Sequence, residues 1–124
     1  MGYIKQMNHS PALIIGSLLA ALGVGLGAFG AHGLRSILDP SQLEWWHTAV
    51  QYQMWNALGL IGLGASHLER LTLPVTLLTL GTLMFAGSLY LLALTGLHWL
   101  GMITPIGGLL MIAGWLTVAW RAWR

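Results

Sequence analysis

The chain is short of charge. Only 6% of its 124 residues are Asp, Glu, Lys or Arg, against about 25% in an ordinary soluble domain. Cysteine is absent altogether, which excludes disulfides, thiolate metal sites and a thiol nucleophile. Lys and Arg total five and are scattered over segment ends. They form no basic patch, so nucleic acid is not an expected partner. No Asp, Glu, Lys or Arg falls within residues 11–33, 48–67, 73–95 or 99–120. That removes the usual markers of a proton relay or a charged-substrate pathway. It also separates the chain from the small four-helix multidrug exporters of similar length, which depend on a membrane-embedded carboxylate.

What is there instead is apolar. Hydrophobic residues make up 56% of the chain and the mean hydropathy is +0.75. A helix needs about 20 apolar residues to cross a hydrocarbon core of about 30 Å, so this length holds about four spans and no second domain. The expected fold is all-α, a polytopic four-transmembrane-helix bundle in a single membrane domain over residues 1–124. Its spans cover about 11–33, 48–67, 73–95 and 99–120, with a short interfacial segment at about 40–47. A secretory signal is the competing reading of the first apolar run. Residues 11–34 are longer than a signal core and three more spans follow, so the first span is read as retained.

The stretch from Gly16 to Leu34 organises the rest. Gly16, Ala20, Gly23, Gly27, Gly30 and Leu34 follow at steps of four, three, four, three and four, a seam of small side chains along one helix face. Helices in a bilayer associate largely through close van der Waals approach, which small residues permit. Ser10-Pro11 and Asp39-Pro40 each read as an N-cap followed by proline at the first helical position. Leu43, Trp45 and Trp46 beside Gln42 and Glu44 suit an interfacial segment that runs on into span 2. Tyr52, Gln53, Asn56 and Gly59 share one polar and small face of that span, which should look inward. Gly81, Ser88 and Thr95 repeat every seven residues in span 3, and Thr104-Pro105 with Gly107-Gly108 should weaken or bend span 4.

Orientation follows from the basic residues, which favour the cytoplasmic side. With four spans, Lys5, Arg70, Arg121 and Arg124 share one side and Arg35 alone lies on the other. Both termini are therefore expected inside. His9 and His67 fall inside as well; Trp45, Trp46 and Trp99 fall at the outer interface, and Trp120 and Trp123 at the inner one.

Chemistry has few places to reside, and no residue stands out as catalytic. His32, His47 and His98 lie towards the outer side, where their convergence would make a metal or haem site. Each also sits near a helix end, where an imidazole meets headgroups or caps a carbonyl. His32 with Gln51, Tyr52 and Asn56 is the one cofactor-binding candidate, and interhelical hydrogen bonding is its structural counterpart. No cofactor is assigned. The leading expectation is a non-enzymatic accessory, assembly or structural membrane protein; the alternative is a binder of haem, metal or a quinone-like lipid at the outer side. Expected partners are the lipid bilayer and either a second copy or a larger membrane complex.

Four motifs carry a resemblance: Gly27-Ala-Phe-Gly-Ala-His-Gly33, Thr48-Ala-Val-Gln-Tyr-Gln-Met54, Ala86-Gly-Ser-Leu-Tyr-Leu-Leu-Ala-Leu-Thr-Gly96, and Ile103-Thr-Pro-Ile-Gly-Gly108 followed by Ala113-Gly-Trp115. In that order they resemble the YgdD-like inner-membrane family, also called domain of unknown function 423 and related to the eukaryotic transmembrane protein 256. The resemblance covers nearly the whole chain. It implies a small four-helix bacterial inner-membrane protein with no established reaction, substrate or cofactor. One departure is Asn56, where family members often carry a histidine.

Overall fold

The computed structural model describes residues 10–124; the expectations placed on Lys5 and His9 lie outside them. Four long helices follow in order: α1 (Pro11–His32), α2 (Pro40–Ala65), α3 (Thr72–Thr95) and α4 (Thr104–Trp123), with a short 3-10 turn at His98–Met102 ahead of α4. By length and composition, α1, α3 and the His98–Trp123 stretch are apolar enough to cross a membrane. The remaining helix, α2, is the longest at 26 residues, but its polar side chains make it less apolar than the others.

The cap signals act as expected. Ser10 Oγ accepts from Leu13 N at 3.3 Å, and Pro11 opens α1. Asp39 Oδ1 accepts from Gln42 N at 2.8 Å while Gln42 Oε1 accepts from Asp39 N at 2.9 Å. Each bond satisfies a backbone donor that a helix start leaves open. Residues 40–47 are not a separate interfacial helix. They are the first two turns of α2, because this capping box starts a helix that nothing interrupts before Ala65. Trp46 is only 2% exposed. Its Nε1 donates to Leu26 O at 2.8 Å and its ring meets Tyr90 edge-on at 4.7 Å.

The helices pack in chain order, α1 on α2, α2 on α3 and α3 on α4, while α1 touches α3 only slightly. Between α1 and α4 there is no backbone contact, and α2 meets α4 only through side chains. The arrangement is a folded row with α2 and α3 at its centre.

Small residues set the two closest approaches. On the α1 seam, Gly16, Gly23, Gly30 and Leu34 are buried. A Cβ on Gly16 would lie 2.7 Å from Ala57 O and 2.8 Å from Ile61 N, and one on Gly64 would lie 2.6 Å from Leu13 N. Between α3 and α4, a Cβ on Gly81 or Gly107 would lie 2.8 Å from a carbonyl oxygen of the other. Gly107 is therefore a packing contact, and α4 runs as one unbroken helix through Gly107-Gly108. Ser88 continues this seam, its Oγ 2.6 Å from Thr104 Oγ1. Thr95 does not, since it is exposed and its hydroxyl donates back to Leu91 O.

The connections are short. Gly96 ends α3 in the left-handed region at φ 71, the conformation glycine adopts at least cost. Arg70 adopts φ 59 between α2 and α3, and its carbonyl accepts from Arg121 Nη1 near the end of α4.

Candidate functional site

The polar residues of α2 form two clusters, each tying α2 to a different neighbour. In the first, Gln53 is 2% exposed. Its Nε2 donates to Leu19 O of α1 at 2.8 Å, and its Oε1 accepts from Tyr90 of α3 at 2.6 Å. One side chain thus joins three helices. Thr82, also buried, lies beside this cluster on the wall of a crevice of about 160 Å3 between α1 and α3.

The second cluster centres on Asn56, which is 4% exposed. Its Nδ2 donates to Tyr52 O at 2.8 Å and meets Met111 Sδ at 3.2 Å. Its Oδ1 accepts from Trp115 Nε1 at 2.9 Å. Trp115 reaches Asn56 because Gly59 leaves room for it: a Cβ there would lie 2.3 Å from the indole edge. A buried amide satisfied on both ends is inexpensive, whereas an unpaired one in an apolar interior costs several kcal/mol.

Beside Asn56 the missing backbone contact between α2 and α4 leaves a lateral groove of about 630 Å3. Its walls include Tyr52 and Trp55 of α2, Met111 and Trp115 of α4 and Phe85 of α3. Tyr52 packs against Trp55 at 4.9 Å and against Phe85 at 4.6 Å between ring centroids. No Asp, Glu, Lys, Arg or His lines the groove. It can stack and hydrogen-bond a neutral molecule.

Of the residues singled out from sequence, the structure brings Tyr52 and Asn56 together on this groove. Gln51 is exposed on another face. His32 is exposed at the end of α1 and does not join them. Gly30 lies against Trp46, so His32 is level with the first turns of α2, and Asn56 lies about 18 Å further along at 1.5 Å per residue. His47 and His98 are exposed as well, and His98 meets Trp45 edge-on at 6.2 Å. Among the described residues no three His, Cys, Asp or Glu side chains gather as metal ligands would.

Sequence reasoning missed Trp115, Tyr90, Thr82 and Met111 as members of these clusters. A signal existed for the tryptophans: Trp55 and Trp115 fall mid-span, away from the interfaces where tryptophan is enriched.

The comparisons agree on one family. Residues 26–108 match the family model described as "Protein of unknown function (DUF423)". The chain is 50% identical over 107 residues to the UPF0382 membrane protein SH2409 of Staphylococcus haemolyticus, covering 84% of this chain and 88% of the relative. It is 42% identical over 111 residues to the UPF0382 membrane protein YwdK of Bacillus subtilis, covering 86% and 90%. To the UPF0382 inner membrane protein YgdD of Escherichia coli K12 it is 36% identical over 107 residues, covering 83% and 82%. No solved structure matches. With most of its length under the family model and relatives this similar along nearly all of theirs, the chain belongs to the DUF423 family of membrane proteins.

Proposed function

We propose that this protein crosses the bacterial inner membrane four times, with both termini in the cytoplasm, and serves as a non-enzymatic accessory, assembly or structural component. The observation that carries the reading is the internal pairing of α2: Gln53 and Asn56 are buried against Leu19, Tyr90, Met111 and Trp115. A spanning helix must satisfy its buried polar groups within the protein, and the two buried amides of α2 are satisfied in this way. At 26 residues, α2 is about 39 Å long, enough to cross the core. The link between Arg121 and the Arg70 carbonyl sets the α2–α3 turn beside the end of α4, as a four-span path requires. Basic residues at that end support its cytoplasmic placement. Exposed leucines on α1 and α4, such as Leu18 at 66% and Leu109 at 67%, suit contact with lipid, a second copy or a larger membrane complex. The test is labelling of single cysteines at positions 98 and 124 in intact cells. Reaction at 98 alone from outside supports the reading; equal reaction at both overturns the four-span path.

A second reading is a binder of a neutral, quinone-like lipid, and the lateral aromatic groove favours it. Haem or metal binding has less support, because among the described residues no three His, Cys, Asp or Glu side chains gather as metal ligands would.

A further inference from the structure

We propose that the groove between α2 and α4 holds the ring of an isoprenoid quinone, with Tyr52, Trp55, Phe85 and Trp115 stacked about it and the Tyr52 hydroxyl and Trp55 indole N–H available to its carbonyl oxygens. The proposal rests on the lipid-binding reading and names its ligand class and its site.

Depth narrows the ligand. Tyr52 to Asn56 lie in the middle of α2, Phe85 in the middle of α3, and Met111 and Trp115 in the middle of α4. The groove therefore faces the centre of the bilayer, beyond the reach of phospholipid headgroups and of a sterol hydroxyl held at the interface. A lipid that carries hydrogen-bond acceptors on a flat ring within the hydrocarbon is a quinone.

The donors point the same way. Asn56 and Trp115 satisfy one another, but Tyr52 Oη and Trp55 Nε1 take no part in the side-chain hydrogen bonds of the described residues. Trp55 is 58% exposed at mid-membrane depth, where no water is present to pair with its indole N–H. A ring carbonyl would supply that acceptor. Aromatic walls favour a planar guest through offset-stacked and edge-on contacts. The groove's volume of about 630 Å3 lies within the range of small-molecule sites, about 300 to 1,000 Å3. The lateral opening leaves the isoprenoid tail in the bilayer. The absence of ionisable groups from the lining suits a neutral ligand. The proposal is one of binding; no electron or proton transfer is assigned.

The probe is decylubiquinone, titrated calorimetrically against the full chain in lipid nanodiscs. Saturable binding near one per chain is expected. Gly108→Leu should abolish it, because Gly108 lines the groove and a Cβ there meets only Phe85 carbons at 3.7 and 3.8 Å, so the plug fits the fold while filling the site. Trp55→Leu, on an exposed position, should weaken binding roughly tenfold through loss of a stacking contact and a donor. Gly25→Leu, on open surface, should leave it unchanged. Circular dichroism on each variant separates lost binding from lost fold. If decylubiquinone binds but neither groove variant changes its affinity, this site is wrong while the lipid-binding reading survives. If 1-decanol, which has no ring, competes equally, the quinone class is wrong. If nothing binds saturably, both readings fall.

Discussion

Trp115 of α4 donates its indole N–H to Asn56 of α2 at 2.9 Å, and this bond spans two helices whose backbones do not meet. It closes the inner wall of the groove and seals the amide from lipid. Replacing Asn56 with Leu would leave the indole donor of Trp115, itself 36% exposed, without its partner in an apolar setting, at a cost of about 1 to 3 kcal/mol. The expected result is a lowered thermal midpoint together with faster solvent exchange of the Trp115 Nε1 proton, followed by NMR. Unchanged exchange would show that the indole had another partner.

Gly16, Gly27 and Gly25 should rank in that order when each is changed to Ala. At Gly16 the added carbon meets backbone atoms at 2.7 and 2.8 Å; at Gly27 it meets only Val50 Cγ1 at 3.3 Å; at Gly25 nothing lies within 4 Å. Backbone cannot move aside as a side-chain tip can, so Gly16→Ala should cost about 1 to 3 kcal/mol. Gly25→Ala should be neutral or gain up to about 1 kcal/mol from helix propensity. Thermal unfolding of the three variants in one detergent checks the ranking.

Gln53 and Tyr90 should couple. Gln53→Leu leaves the Tyr90 hydroxyl without its acceptor, and Tyr90→Phe leaves Gln53 Oε1 without its donor, so each should cost about 1 to 3 kcal/mol. The double variant should cost clearly less than the two together, because neither orphan remains. Strict additivity in a double-mutant cycle would show that the 2.6 Å bond contributes little.

Arg70 sits at φ 59, a backbone region that costs a side-chain-bearing residue about 1 kcal/mol or more. Its own structural contribution there is a backbone carbonyl, which Arg121 uses. Arg70→Gly should therefore raise the thermal midpoint and Arg70→Val should lower it, since β-branching fits this region worst. A fall in both would mean that the Arg70 side chain matters more than its backbone.

The starts of α1 and α2 and the α1 seam were legible because both are local patterns, whereas α4 begins only at Thr104, after a 3-10 turn, and not near residue 99. An N-cap followed by proline acts within four residues, and small residues at steps of three and four lie on one face of any helix. Gly107 was legible as a residue but not in its role. A Gly-Gly pair after a proline reads as a weak point, and only the presence of Gly81 opposite turns it into a packing contact. Thr95 shows the reverse error, since a seven-residue repeat carried one turn past the end of the α3–α4 contact predicts a face that no longer has a neighbour. His32 and Asn56 lie close in an idealised count of depth. The register set by Gly30 against Trp46 separates them.

Composition and periodicity alone determined that this chain is helical and built for a membrane, and local cap signals marked where α1 and α2 begin. Those properties depend on each residue's solvation and on its neighbours within a turn or two. Tertiary structure alone decided that α1 and α4 stay apart, that Trp46 turns inward, and that Asn56 is joined by Trp115, 59 positions away. Which polar group meets which depends on helix register and side-to-side order. Both are set by the close contacts at Gly16, Gly64, Gly81 and Gly107, and contacts between distant residues leave no periodic trace along the chain.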